Sequence, residues 1–207
     1  MIRRDALLLG LSAAFALSAP AWALDRALTP EEQQLIADIG THNSAIRTMV
    51  GRFLQIDTNG GRQEGTFFLE RPDKIAFRYA PPSREEIVSI GRGFYVLNRR
   101  DETYYAYPQD SIPLRQFLGD TIDLLNANVV DVTSSDGYIS ITVIDETVAG
   151  TVQVSLIFDT DTKELAQWSL VEPSGAELTF SLYDVEKGQQ IPRSFFSIPA
   201  NYKAREQ

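Results

Sequence analysis

Histidine is the side chain best suited to moving a proton near neutral pH, and this chain has one, His42. It has no cysteine, which excludes thiol redox chemistry and thiolate metal sites; a histidine-rich metal site is excluded as well. A serine–histidine–acid arrangement would have to use His42, and no Gly-x-Ser-x-Gly elbow is present to offer it a nucleophile. His42 lies seven residues after Leu35, on an apolar helical stripe where packing or hydrogen bonding accounts for it. Neither a Walker-type phosphate loop nor a dinucleotide glycine fingerprint occurs, and Gly91-Arg92-Gly93 reads as a turn between strands. Asp and Glu number 28, so a carboxylate pair can be drawn almost anywhere and none singles out a glycosidase. The chain is not expected to be an enzyme, and no metal or cofactor is implied.

The aromatic residues point to a different chemistry. Phe67, Phe68, Phe77, Phe94, Tyr95, Tyr104, Tyr105 and Tyr107 crowd into one half of the chain. Some strands there are apolar on both faces, as at Phe67 and Phe68. Two readings fit: ordinary packing of a sheet against helices, or a wide apolar lining for something hydrophobic.

The elements that must position these residues are legible from periodicity. Thr29-Pro30-Glu31-Glu32 is a helix start, with Thr29 as cap, Pro30 in the first turn and Glu32 completing a capping box. Leu35, Ile39, Ile46 and Met49 follow at helical spacing, and Ile36 widens the stripe. Gly40 sits inside this helix and should weaken it by about 0.5–1 kcal/mol relative to alanine. From about Arg47 the period becomes two. Ile75, Phe77 and Tyr79 alternate with polar neighbours, as do Ile139, Ile141 and Val143, then Val152, Val154, Leu156 and Phe158, then Leu178, Phe180 and Leu182. Turn residues separate the runs, among them Asn59-Gly60-Gly61, Pro81-Pro82, Ser135-Asp136-Gly137 and Pro173-Ser174-Gly175. One helical interruption is predicted, from Pro113 to about Leu125, with Leu114, Phe117, Leu118, Ile122 and Leu125 as its stripe and Gly119 dividing it into two short helices. The expectation is a mainly β, α+β domain of about eleven antiparallel strands, one N-terminal helix and short central helices. So large an apolar face must be covered. Either the sheet closes into a packed barrel, or it stays open with helices lying across a cavity.

Residues 1–23 read as an export signal: Arg3 and Arg4, an apolar run from Ala6 to Ala19, and Ala21-Trp22-Ala23 as a cleavage site. Retention of this segment as an anchor is the alternative, and the paired arginines permit either the general or the twin-arginine export route. The mature domain is then residues 24–207. The whole chain has a formal charge of −9, and losing Arg3, Arg4 and Asp5 makes it one unit more acidic. That balance argues against nucleic acid, whose phosphates need a basic footprint, and against stable docking on an anionic membrane.

Several motifs together carry a resemblance. Phe53-Leu54-Gln55 follows the first helix, and the run from Gly65 to Tyr79 contains Arg71-Pro72-Asp73 between two aromatic-rich strands. Ile87-Val88-Ser89 and Gly91 lead into Phe94 to Leu97; Ile112-Pro113-Leu114 opens the helical insert; and Gly175 to Asp184, Ile191-Pro192 and Phe196-Ser197-Ile198-Pro199 close the chain. In this order, over roughly residues 30–200, they resemble the periplasmic outer-membrane lipoprotein carrier (LolA-like) family. The chain departs from the family pattern at Ile90, where an aspartate is usual, and at Phe77, where a tryptophan is usual.

The resemblance implies an open, incomplete antiparallel β-barrel whose apolar inner face is lidded by helices. It implies a cavity lined by Phe53, Phe67, Leu69, Ile75, Phe77, Tyr79, Val88, Ile90, Val96 and Phe180. Arg71 would latch the lid, and Leu35, Ile39 and Ile46 would form the apolar side of the lid helix. Without the family, Arg71 reads as a strand-end cation near Glu70 or Asp73. The implied partners are acylated lipoproteins, an inner-membrane lipoprotein-releasing ABC transporter and an outer-membrane acceptor, met in the periplasm by a monomer that does not insert into membranes. A reading of another class is a lipid- or lipoprotein-sensing regulatory domain on the same scaffold.

Overall fold

A computed structural model describes residues 27–109, 115–147 and 150–206; the export signal and Ile112, Pro113 and Leu114 lie outside them. The helix α1 spans Pro30–Ala45. Its start is the capping box read from sequence: Glu32 N donates to Thr29 Oγ1 at 3.2 Å and Thr29 N to Glu32 Oε2 at 2.8 Å. Its end differs from the expectation. Ile46 is an extended C-cap residue and Met49 already belongs to β1, so neither extends the helical stripe. The chain leaves the helix because Arg47 O is claimed by Arg71 N at 2.8 Å, which begins sheet pairing at that point. The buried stripe of α1 is Ile36, Ile39, Gly40 and Asn43, with Leu35 half-buried beside it.

The strands are β1 (Thr48–Asp57), β2 (Arg62–Glu70), β3 (Lys74–Tyr79), β4 (Glu85–Ile90), β5 (Gly93–Asn98), β6 (Thr103–Pro108), β7 (Asn128–Ser135), β8 (Tyr138–Thr147), β9 (Gly150–Asp159), β10 (Leu165–Val171), β11 (Glu177–Lys187) and β12 (Lys203–Ala204). They form one sheet in the order β12-β6-β5-β4-β3-β2-β1-β11-β10-β9-β8-β7. Two antiparallel meanders, β1–β6 and β7–β11, are thus welded through the β1–β11 pair. The sheet is open, with β12 and β7 at its edges. About eleven strands were expected; the addition is β12, a two-residue parallel pair with β6.

The two faces of the sheet have different covers. On the inner face Phe53, Phe67, Leu69, Phe77, Tyr79, Ile141, Val154, Leu156, Phe158 and Trp168 form one apolar cluster with Ile36 and Ile39 of α1 and with Phe117, Leu118, Ile122 and Leu124. On the outer face of the first meander, Ala76, Val88 and Leu97 are buried under Ile191 and Phe196 from the chain's last segment. There Phe195 meets Phe68 at 4.5 Å between ring centroids, and Arg78 lies 4.2 Å above the Phe195 ring. This strap explains why Phe67 and Phe68 can both be apolar.

Among the described residues of the insert, no α-helix forms: one 3-10 turn, Arg115–Leu118, is followed by bends and turns. Leu124 is buried in place of Leu125, which is exposed. A segment this short cannot sustain a helix by itself, and here outside groups take its backbone polar atoms. Phe117 O, Leu118 O and Ile122 N bond to Arg71, Asp73 and Ser44.

Gly40 marks where α1 and the insert touch. A methyl group at Gly40 would stand 2.5 Å from Ile122 O, so close approach, not flexibility, requires the glycine. Alanine ordinarily strengthens a helix interior by about 0.5–1 kcal/mol. Gly40→Ala should instead lower stability by about 1–3 kcal/mol through overpacking, measured by urea unfolding. A stabilised variant would show that the insert backbone yields without cost.

Candidate functional site: an apolar cavity under a hydrogen-bonded cover

Between the sheet and its cover lies an apolar cavity of about 70 Å³, lined by Met49, Phe67, Leu69, Ile75, Phe77, Phe94, Phe117, Leu118, Leu165, Trp168 and Leu182. Six strands and the 3-10 turn contribute to it. The aromatic wall is held by edge contacts and stacking: Phe53 meets Phe77 at 5.2 Å and 88°, and Trp168 stacks on Phe180 at 4.8 Å and 9°. An engineered cavity of about 150 Å³ is large enough for benzene. The void here is about half that, so a long hydrocarbon chain enters only if the cover moves.

Of the expected lining residues, Phe67, Leu69, Ile75 and Phe77 border the cavity. Phe53, Tyr79 and Phe180 pack in the same cluster behind that wall. Burial raises the Tyr79 hydroxyl above its usual pKa, so it stays protonated and donates to Gln55 Oε1 at 2.5 Å. Val96 shares the inner face, paired with Ile87, but does not border the cavity. Val88 and Ile90 do not belong to this site. They share the opposite side of β4 from Ile87 and Ser89: Val88 is buried beneath the strap, and Ile90 is 38 % exposed. Choosing the wrong parity on one strand moves both residues to the other face.

The residues not anticipated have identifiable signals. Leu182 follows from Phe180 by period two. Met49 was hidden by its assignment to the helix, and Phe117 and Leu118 by theirs to a lid. Leu165 and Trp168 are three apart and face the same cavity because a register shift falls between Leu165 and Gln167. Periodicity cannot reveal such an irregularity.

Arg71 follows Phe67 and Leu69 at period two and is only 4 % exposed. Its Nη1 donates to Ile46 O at 2.7 Å and its Nε to Phe117 O at 3.2 Å, while the guanidinium lies 4.9 Å from the centre of the Phe117 ring. One side chain therefore joins the end of α1 to the 3-10 turn. Glu70, offered by the bare sequence as its partner, pairs instead with Lys74 at 2.5 Å. Burial, reinforced by the charge of Arg47, pushes the Arg71 pKa down to about 10, and the group remains charged at neutral pH. Its Nη2 is buried and has no hydrogen-bond partner among the described residues.

Neighbouring bonds complete the cover. Asp73 N donates to Leu118 O at 2.9 Å, Arg47 pairs with Asp120 at 2.6 Å, and Arg115 makes a two-pronged pair with Asp145 at 2.5 and 2.9 Å. On its other side α1 is tied to the β9–β10 hairpin: buried Asn43 Nδ2 donates to Lys163 O at 2.7 Å, and Lys163 pairs with Asp38 at 3.2 Å. His42 Nε2 stands 3.7 Å from Glu164, too far for a hydrogen bond, and has no hydrogen-bond partner among the described residues; Glu164 pairs with Lys187. The carboxylates within reach of the helix serve as its fastenings.

Among the described residues no cluster of His, Asp and Glu could hold a metal ion, and no helix is long and apolar enough to cross a membrane. No curated protein matches the chain. Solved structures do. An uncharacterised conserved protein of Thermus thermophilus superimposes with a TM-score of 0.50 at 6% identity, covering 84% of this chain and 98% of that one. A putative outer membrane lipoprotein-sorting protein domain from Vibrio parahaemolyticus gives 0.50 at 8%, covering 79% and 95%. A DUF1329 family protein from Desulfovibrio piger gives 0.51 at 7%, covering 80% and 95%. At such identities these likenesses establish the fold. The family follows from the sequence itself: residues 44–199 match the family model described as outer membrane lipoprotein carrier protein LolA, and the chain belongs to that family.

Proposed function

We propose that this protein is a periplasmic carrier that shields the acyl chains of lipoproteins, collecting them from an inner-membrane ABC transporter and passing them to an outer-membrane acceptor. Residues 1–23 would be its cleaved export signal and residues 24–207 the working domain. The observation that carries this reading is an apolar cavity covered by the 3-10 turn, which one buried arginine ties to the end of α1.

Each CH₂ group taken out of an apolar environment costs about 0.8 kcal/mol. A sixteen-carbon chain bare in water therefore costs roughly 12 kcal/mol, which forbids free diffusion between membranes. A carrier must cover that surface and still release it. With a resting void of about 70 Å³, the empty protein is closed and binding is coupled to opening. The apolar surface hidden under the insert then becomes available to the chain, so one hydrophobic contact replaces another and affinity stays moderate. Such an exchange needs no nucleotide, only a receiving surface that binds the cargo better.

Two outcomes follow. Phe77→Glu and, on the less buried margin, Phe94→Glu should each abolish fluorescence enhancement of the neutral dye 1-N-phenylnaphthylamine while the far-ultraviolet circular dichroism stays native. Unchanged dye binding in both variants would place the hydrophobic site elsewhere. Arg71→Leu removes two charge-assisted hydrogen bonds, and amide exchange around Phe117 and Leu118 in the empty protein should speed up by about tenfold or more. An unaltered exchange rate there would mean that the cover is held by something other than Arg71.

A further inference from the structure

Resting on the carrier reading, the geometry points to Arg71 as a receptor for the oxygen-bearing head of an acyl group: its unpartnered Nη2 donates to a carboxylate or carbonyl oxygen of the ligand while the hydrocarbon tail occupies the cavity.

The chemistry of the site leads there. A guanidinium has five N–H donors and no acceptor. Arg71 spends one donor on Ile46 O and one on Phe117 O, and Nη2 is buried without a partner among the described residues. No carboxylate among the described residues pairs with it. The charge felt most by the guanidinium is that of Arg47, which has the same sign. Burying an ion without a counter-charge is costly, and an unsatisfied donor adds to that cost. The site is therefore electrostatically incomplete, and an oxygen anion or a carbonyl dipole completes it.

Its position fits an acyl head. Arg71 continues the inner-face series Phe67 and Leu69, both of which line the cavity, and it lies against Phe117, which lines it too. A ligand with a long apolar tail and one terminal oxygen acceptor matches an apolar cavity with a donor just behind the Phe117 ring that lines it.

The acceptor is either the carboxylate of a free fatty acid or the ester carbonyl of an acylated lipid, and the test separates them. Binding of dodecanoate and of methyl dodecanoate is measured by displacement of 1-N-phenylnaphthylamine, in the native protein and in Arg71→Met and Arg71→Lys. Native protein should bind at least one of the two oxygen-headed ligands about tenfold or more tightly than Arg71→Met does, while both proteins bind the dye itself. Preference for dodecanoate identifies a carboxylate site; equal affinity for both, each lost in Arg71→Met, identifies a carbonyl site. Arg71→Lys should retain part of the difference. A carboxyl-labelled dodecanoate should also show a depressed pKa by ¹³C NMR when bound to native protein if the carboxylate is the ligand. Dye and both ligands binding native and Arg71→Met alike would overturn the head-group role and leave the carrier reading standing. Failure of the native protein to bind dye or either ligand would remove the carrier reading as well.

Discussion

A positive charge buried among apolar side chains and held by carbonyl dipoles joins two of the segments that cover the inner face of the sheet. Taking an arginine out of water costs several kcal/mol even after relaxation. Against this stand two hydrogen bonds from a charged donor, each worth about 1.5–3 kcal/mol, and a contact with the Phe117 ring worth about 0.5–2 kcal/mol. The sums nearly cancel. Arg71 therefore ties the end of α1 to the 3-10 turn at little net cost, through two carbonyl oxygens and without a carboxylate partner among the described residues.

The asymmetry of the fold follows from the need to keep that balance local. Outside the first meander, the strap packs Phe196, Ile191 and Phe195 onto Val88, Leu97 and Phe68, with Arg78 bridging to Glu86 at 2.9 Å. That face is filled by its own chain. On the inner face, α1 is fastened to the β9–β10 hairpin through buried Asn43, and to the insert by apolar packing of Ile36 and Ile39, at Gly40, at Ser44 and through Arg71. The insert has little secondary structure of its own and borrows its hydrogen bonds from neighbours. The sheet is thus held by its own ladder, the helix by side-chain ties to a hairpin, and the described part of the insert by bonds from its neighbours.

Much of this was legible beforehand. The capping box at Thr29 and Glu32 fixed the start of α1, and strict alternation located the strands around Phe77, Ile141, Val154 and Phe180. The inner-face residues Phe67, Leu69, Ile75 and Phe77 followed from alternation combined with the family motif. The end of α1 was not legible. Ile46 and Met49 continue a helical spacing by coincidence, and Arg47 O bonds across the sheet to a residue distant in the chain. The insert failed for a related reason: its apolar spacing suits a helix, yet its carbonyls are worth more to Arg71 and Asp73 than to its own backbone.

Sequence alone therefore determined what composition, local periodicity and capping encode: a period-two chain with one capped helix, no thiol, and an excess of apolar surface to be covered. Tertiary structure decided which apolar face received which cover. It sent Val88 and Ile90 outward, brought Leu165 and Trp168 to one wall through a register shift, and converted Gly40 from a weak point into a contact. It also decided the state of Arg71, because burial and the orientation of two distant carbonyls set its energetics. The physical reason is common to all of these. Face, register and desolvation depend on partners far away along the chain, and no spacing rule within a strand or helix carries that information.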